Sequence, residues 1–235
     1  MLQSCFWVDK LACRWREILA HSFALYIFDL DGTLVDSLKD LACAVNRVLE
    51  VMGCPQLPEQ QIHGYVGQGA RWLLEESLKA AGATSDRLEE ARGHFLPIYS
   101  EQLTTHTHFF PQALETIDTL SKNGARVALC TNKPYELTEK LLKHLGAWER
   151  FEIILGGDSL PTKKPDPAPL VHIMQHCGVS ADNTLMIGDS TFDIIAGKAA
   201  GTATCAVTFG NHDKNTLQDE HPDFMIEQLS QILSL

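Results

Sequence analysis

The chain has 235 residues, of which 45% are hydrophobic and 21% are charged, and its formal net charge is −11 at pH 7. This length suits one large domain or a core with a small insert, and the apolar content is ordinary for a globular protein with a buried core. The negative charge argues against a nucleic-acid partner, and no apolar run reaches the roughly 20 residues of a membrane helix.

Residues 1–22 precede the first predicted strand. Leu11, Trp15, Ile18 and Leu19 fall at helical spacing, which predicts an N-terminal extension that forms an extra helix or a frayed segment. The segment lacks the continuous apolar stretch of a signal peptide. A short helix on a membrane surface is the alternative.

From residue 24 the chain alternates short apolar runs with Leu-rich helical stripes. This alternation predicts an α/β fold with a doubly wound, Rossmann-like parallel sheet. Strands are predicted at 24–29, 126–130, 152–155, 184–188 and 203–207. Helices that end at or before a glycine, the residue favoured in a left-handed cap, are predicted at 135–145, 167–177 and 191–200.

The stretch 37–103 breaks this alternation, because it has helical periodicity and no convincing strand. Helices are predicted from about residue 38 to 52, at 70–81 and at 86–100, and the helix at 112–123 resumes the core. We interpret the insert, which directly follows the first strand, as a helical cap domain that covers the edge of the sheet where the active site is expected. The expected organisation is an extension at 1–22, a core at 23–35 and 110–235, and a cap at 36–109. A helical subdomain that is merely packed on the core is the alternative.

Residues able to bind phosphate and metal follow the predicted strands. Asp29 and Asp31 follow the first strand, Thr131 the second and Asp189 the fourth. These side chains should meet, because the carboxyl ends of parallel strands share the edge where ligands bind. Lys164 precedes a proline, which holds it in an extended loop. Clustered carboxylates with a lysine indicate metal-assisted phosphate chemistry.

The chemistry predicts a role for each of these residues. Asp29 would attack phosphorus and form an aspartyl-phosphate, while Asp31 would protonate the leaving alkoxide and then deprotonate the attacking water. The Thr131 hydroxyl and the N–H of Asn132 would hold a phosphoryl oxygen, and Lys164 would neutralise its charge. Taken alone, the D-x-D-G-T string could instead be a calcium-type or turn motif.

The acidic residues after the fourth strand predict a metal site. Asp189 lies at the strand tip and is the better ligand, whereas Asp193, four residues later, could hold a water of the metal or orient Lys164. Hard oxygen ligands beside a phosphate suit Mg²⁺, which would orient the phosphate and shield its charge.

Substrate choice is expected to come from the insert. Gly67 and Arg71 belong to a glycine-rich loop that leads into a helix, where open N–H groups and a guanidinium could bind a carboxylate. The alternative is that the glycines only let the loop turn and Arg71 is a surface residue. His172 and His176 have a zinc-compatible spacing but lack the H-E-x-x-H pattern, so a packed or solvent-facing pair is predicted.

Seven cysteines without a C-x-x-C pair predict small buried hydrophobic side chains rather than a disulfide framework. Cys43, Cys130 and Cys205 lie in apolar periodic segments. We therefore expect a reducing, cytoplasmic location.

Four segments, FDLDGTLVDS, LCTNKP, KKPDP and MIGDSTFDIIAGKAAG, resemble the motifs of the haloacid dehalogenase superfamily, in order and without a gap. The fit spans residues 24–210. The insert resembles the cap of the subfamily that contains the phosphoglycolate phosphatases. This resemblance implies the roles predicted above, and it places Mg²⁺ on Asp29, the carbonyl of Asp31 and Asp189.

The resemblance implies a phosphatase for a small phosphorylated metabolite such as 2-phosphoglycolate. A phosphatase for sugar phosphates or nucleotides, or a phosphomutase of the same superfamily, is the alternative. A dehalogenase would need neither Asp31 nor Asp189, and a non-catalytic binding protein would tolerate loss of a reactive residue. We expect no nucleic-acid or membrane partner, and the sequence leaves a monomer or a homodimer open.

Overall fold

The computed structural model describes residues 23–235. The predicted N-terminal extension at 1–22 lies outside the described residues. Within residues 23–235, no helix combines the length and apolar character required to cross a membrane.

A six-stranded parallel sheet forms the centre of the molecule and confirms the predicted α/β class. The strands of this sheet are β1 (Leu25–Phe28), β4 (Arg126–Cys130), β5 (Ile153–Leu155), β6 (Thr184–Gly188), β7 (Ala203–Val207) and β8 (Phe224–Ile226). They lie in the order β5-β4-β1-β6-β7-β8, so the first strand lies between β4 and β6.

Helices cover both faces of this sheet. Leu25 and Ile27 of β1 pack into one apolar cluster, and Tyr26 and Phe28 pack into another on the opposite face. Successive side chains of a strand point to opposite faces, so a run of four buried apolar residues requires cover on both sides. The helices are α1 (Leu38–Val51), α2 (Glu59–His63), α3 (Ala70–Ala80), α4 (Leu88–Gln102), α5 (Ala113–Lys122), α6 (Tyr135–His144), α7 (Ala168–Cys177), α8 (Thr191–Ala200) and α9 (Lys214–Asp219).

The predicted core elements are confirmed, several of them to the residue. β4, β6, β7 and α8 have the predicted bounds, and the other predicted core elements differ by one residue at one or both ends. Gly178 and Gly201 adopt left-handed conformations at the ends of α7 and α8, as the cap pattern predicts. The edge strand β8 and the helix α9 were not predicted, because each is short and only partly buried.

The insert is helical, as predicted, and contains α1 to α4. Its apolar side chains, among them Leu49, Leu74 and Phe95, belong to the same buried cluster as one face of the sheet. The short helix α2 was not predicted, and α4 runs two residues beyond the predicted end.

A two-stranded antiparallel ribbon closes the insert where the chain leaves and re-enters the core. It pairs β2 (Val35–Asp36) with β3 (His108–Phe109). Beside it, the buried carboxylate of Asp40 accepts hydrogen bonds from both backbone N–H groups and the hydroxyl of the segment His106–Thr107, at 2.7 to 3.0 Å. Burial would raise the pKa of Asp40, but these hydrogen bonds outweigh burial and lower it. The side chain is therefore a structural link between α1 and the returning chain.

Five cysteines lie in the described part of the chain, and all are free thiols. Cys130 and Cys205 are buried in strands, as predicted, and burial raises the pKa of each thiol to about 12. The prediction for Cys43 is wrong: it lies on the exposed side of α1, because the buried stripe of that helix passes through Leu41 and Val45 instead.

Candidate active site

Asp29 lies directly after β1, at the carboxyl end of the sheet. Its backbone N–H donates to the carbonyl of Ile187, which continues the pairing with β6 for one more residue. The side chain is buried, and burial raises its pKa to about 6, although the nearby ammonium of Lys164 lowers it. Lys164 Nζ lies 3.0 Å from Asp29 Oδ1 but outside hydrogen-bond geometry, so this buried oxygen has no hydrogen-bond donor.

Asp189 lies after β6 and faces Asp29 across the strand ends. Its Oδ1 accepts from the Thr33 hydroxyl at 3.2 Å, and its Oδ2 accepts from the backbone N–H of Asn211 at 2.7 Å. Burial raises its pKa well above the usual value, and the charges of Asp29 and Asp193 add to that rise. These contacts hold one carboxylate beside another in a buried site.

Asp193 belongs to the first turn of α8 and uses both of its oxygens in protein contacts. Oδ2 accepts from the N–H and the hydroxyl of Ser190, which forms a capping box at the start of the helix. Oδ1 lies 2.5 Å from Lys164 Nζ. Burial would lower the pKa of Lys164, but Asp193 and Asp29 raise it, so the ammonium keeps its charge. The carboxylate of Asp193 thereby orients Lys164.

A divalent cation fits this arrangement. One carboxylate oxygen from each of Asp29, Asp189 and Asp193 lies within 4.8 Å of the other two, and all three side chains are buried. Among residues 23–235, Lys164 is the only ammonium paired with them. Burial therefore raises the pKa of both Asp29 and Asp189 above the usual value. Asp193 is paired with the Lys164 ammonium at 2.5 Å, whereas Asp189 accepts from neutral donors, so Asp29 and Asp189 are the better ligands for a hard cation.

Thr131 and Asn132 follow β4 and lie beside the same strand ends. The N–H of Thr131 donates to the carbonyl of Leu155, so the loop begins one residue past the strand. The amide of Asn132 donates to the carbonyls of Lys164 at 3.1 Å and Gly67 at 3.2 Å. One side chain therefore joins two core loops and the insert.

Asp31 lies at the rim of the buried cluster and contacts a residue that sequence reasoning missed. Its carboxylate accepts from the Ser37 hydroxyl at 2.5 Å and from Lys133 Nζ at 3.0 and 3.2 Å. Lys133 is buried and also donates to the Tyr99 hydroxyl on α4 at 2.5 Å. Lys133 directly follows Thr131 and Asn132, which were selected because they are polar residues after a predicted strand. The same criterion could have identified Lys133.

The glycine-rich loop of the insert lies against the core. Gly69 has a φ of +89°, and a Cβ at this position would lie 2.8 Å from Lys163 Nζ and 3.1 Å from the carbonyl of Asn132. Lys163, which precedes Lys164, donates to the carbonyl of Gln68 at 2.9 Å. The glycines thus allow a close approach of backbone to core, beyond letting the loop turn.

The structure does not bring Arg71 into this site. Its side chain is 63% exposed and lies 3.5 Å from Glu89, on the outer side of α3. Ala70 and Leu73 of the same helix line the cavity instead. The cavity between core and insert has a volume of about 40 Å³, and its walls contain Asp29, Asp31, Thr131, Asn132, Lys133, Tyr99, Gly67 and several apolar side chains.

Comparison with known proteins identifies relatives that span most of the chain. The family model described as haloacid dehalogenase-like hydrolase matches residues 26–207. A phosphoglycolate phosphatase of Neisseria meningitidis is 41% identical over 211 residues, which cover 87% of this chain and 90% of that protein. A phosphoglycolate phosphatase of Vibrio parahaemolyticus is 37% identical over 216 residues, with 90% and 95% covered.

Solved structures share the same fold. The crystal structure of a predicted phosphoglycolate phosphatase from Haemophilus somnus has a TM-score of 0.84 at 33% identity, covering 90% of this chain and 97% of that one. A haloacid dehalogenase-like family protein from Streptococcus pneumoniae has a TM-score of 0.80 at 26% identity, with 91% and 98% covered. The arrangement of sheet and insert is therefore shared along nearly the full length of these proteins.

Proposed function

The chain belongs to the haloacid dehalogenase-like hydrolases, and we propose that it is a Mg²⁺-dependent phosphatase that converts 2-phosphoglycolate to glycolate and phosphate. One observation carries this proposal: a buried aspartate at a strand end, Asp29, lies beside a second carboxylate and an ammonium and lines a small cavity. The relatives named as phosphoglycolate phosphatases support the choice of substrate.

Asp29 is the proposed nucleophile. An oxygen of its carboxylate would form a bond to phosphorus as the bond from phosphorus to the leaving alkoxide breaks, which gives an aspartyl-phosphate. The ammonium of Lys164, held by Asp193, and the Thr131 hydroxyl with the N–H of Asn132 would hold the phosphoryl oxygens.

Asp31 is the proposed general acid and base. It would give its proton to the leaving alkoxide, and in the second half-reaction it would take a proton from the water that attacks the aspartyl-phosphate. The Ser37 hydroxyl and Lys133 fix its carboxylate at the rim of the cavity, which orients it toward the leaving group. The products of the two steps are the free alcohol and inorganic phosphate.

Asp29 and Asp189, with the carbonyl of Asp31, would hold the Mg²⁺. When bound, the cation would offset the carboxylates and the phosphate charge, and it would orient the phosphoryl group for attack. Asp29 Oδ1 is ion-paired with Lys164 but accepts no hydrogen bond from residues 23–235, which supports this assignment.

The helical segment 36–109 is the proposed cap, and it limits the size of the substrate. The cavity is small, with a volume of about 40 Å³, which favours a small phosphorylated acid over a sugar phosphate or a nucleotide. The free thiols of the described residues suit a reducing compartment, so the proposal includes a cytoplasmic location.

A steady-state panel with purified protein tests this function. We expect the highest kcat/KM for 2-phosphoglycolate, lower values for sugar phosphates and nucleotides, and no turnover with EDTA in place of Mg²⁺. A higher kcat/KM for a sugar phosphate or nucleotide would assign the alternative substrate class, and turnover by Asp29→Asn would exclude the aspartyl-phosphate mechanism.

A further inference from the structure

We propose that Lys133 and the Tyr99 hydroxyl bind the carboxylate of the leaving group, and that this pair selects small phosphorylated acids over neutral phosphate esters. The inference rests on the proposed phosphatase function and names the residues that set its substrate class. Lys133 follows β4 in the core, whereas Tyr99 belongs to α4 in the insert.

Lys133 is the only basic residue among the cavity-lining residues of the described chain. The other charged side chains in that wall are Asp29 and Asp31, and the remainder is neutral or apolar. Lys164 is engaged with Asp29 and Asp193 instead. A substrate carboxylate that enters beside two aspartates needs a positive partner, because an unpaired charge is costly in a buried site. Lys133 is placed to be that partner.

Lys133 lies in the cavity wall with its ammonium paired to Asp31. An ammonium has three donors, and the contacts of Nζ are two to the oxygens of Asp31 and one to the Tyr99 oxygen, so a substrate carboxylate would take the place of one contact to Asp31. Both Lys133 and Tyr99 are almost fully buried. Charge pairs are stronger in such surroundings than in water, so an incoming carboxylate would interact strongly with the ammonium.

Tyr99 supplies the second donor, because its hydroxyl accepts from Lys133 Nζ at 2.5 Å and its own proton can be donated to a substrate carboxylate. Burial raises the pKa of its hydroxyl well above the usual value, and the charges of Asp31 and Asp40 add to that rise, so the O–H stays protonated. A carboxylate held by both residues would connect core and insert. Arg71 offers no competing contact, because it is exposed and paired with Glu89 outside the cavity.

The test compares two substrates that differ in the carboxylate. For each variant, kcat/KM is measured with 2-phosphoglycolate and with 2-hydroxyethyl phosphate, whose hydroxymethyl group replaces the carboxylate. Since a hydrogen bond to a charged group is strong, Lys133→Met is expected to lower the ratio of the two values about 10- to 100-fold. Tyr99→Phe should lower the ratio severalfold. Lys143→Met, which removes an exposed charge on α6, should leave the ratio unchanged.

The ratio separates carboxylate binding from effects on Asp31. Loss of the contact between Lys133 and Asp31 would slow both substrates equally, so an unchanged ratio in Lys133→Met with lower rates for both would overturn the inference and leave the phosphatase function intact. If Lys133→Met does not fold, as judged by circular dichroism, the ratio in Tyr99→Phe decides, and an unchanged ratio there also overturns it. Absence of turnover of either substrate by the wild-type protein would instead contradict the proposed function.

Discussion

Replacement of Asp29 by Asn is expected to stabilise the metal-free protein while it abolishes activity. Burial raises the pKa of Asp29 from 3.8 to about 6. Because this folded-state value exceeds that of the unfolded chain, the protonated carboxyl contributes stability that is fully present below pH 3.8 and is lost as the pH rises through about 6. A shift of about 2 units at roughly 1.4 kcal/mol each means that ionised Asp29 costs the folded state about 3 kcal/mol at neutral pH.

Asparagine keeps the shape of the side chain and removes the charge. The shifted pKa already includes the attraction of Lys164, whose ammonium retains Asp193 in the variant. Some of the gain is lost because an amide also needs hydrogen-bond partners in a buried site. We therefore expect the free energy of unfolding to rise by about 1–3 kcal/mol at pH 7.5.

Urea unfolding in EDTA measures this difference at pH 7.5 and again near pH 4, where the gain should nearly vanish. Asp182→Asn, at an exposed position, is the matched control and should change stability little. Addition of Mg²⁺ should stabilise the wild-type protein more than the variant, because a carboxylate ligand is lost. If Asp29→Asn were less stable than the wild type at pH 7.5 without metal, the conclusion that the buried charge of Asp29 destabilises the folded protein would be refuted.

Three further substitutions probe the metal site, the glycine-rich loop of the insert, and the contact of Asp40 with the chain that returns from the insert. Asp189→Asn should weaken Mg²⁺ binding about 10-fold or more, measured as the Mg²⁺ concentration that gives half-maximal phosphatase rate. Gly69→Ala should lower kcat/KM, because a Cβ would clash with a core lysine and a backbone carbonyl, whereas Gly82→Ala, also at positive φ but in open space, should reduce stability only. Asp40→Asn should reduce the free energy of unfolding by about 2–3 kcal/mol at pH 7, measured by urea unfolding, and the loss should shrink as the pH falls below 4. Asp118→Asn, at a partly exposed ion pair, should cost less than about 1 kcal/mol in the same assay.

The core elements could be predicted from the sequence because their signals are local. A strand buried on both faces is a continuous apolar run, and the helices after it end at glycines that adopt left-handed conformations, as at Gly178 and Gly201. The parallel order then brings Asp29 and Asp189 together without further information, since both follow neighbouring strands.

The contacts between insert and core could not be predicted in the same way. Tyr99 looks like one more aromatic residue of a helical stripe, and only the packing of α4 against the core shows that its hydroxyl meets Lys133. The direction of Arg71 depends on the rotation of α3 about its axis. Ala70 and Leu73 face the cavity, three residues apart, so Arg71 lies on a different side of the helix. Sequence spacing alone did not fix which side faces the core.

The loop after β4 joins the proposed chemistry to substrate selection. Thr131 is the proposed phosphate ligand, Asn132 binds the backbone of both the Lys164 loop and the insert, and Lys133 contacts Asp31 and the insert helix α4. In the proposed mechanism, these three consecutive residues would contact the reacting phosphate, the insert and the leaving group. A substitution that moves this loop should alter rate and selectivity together, whereas a substitution on the outer side of the insert, as at Arg71, should alter neither. Comparing how substitutions in this loop and on the outer side of the insert change rate and selectivity therefore tests whether the insert selects the substrate through this loop.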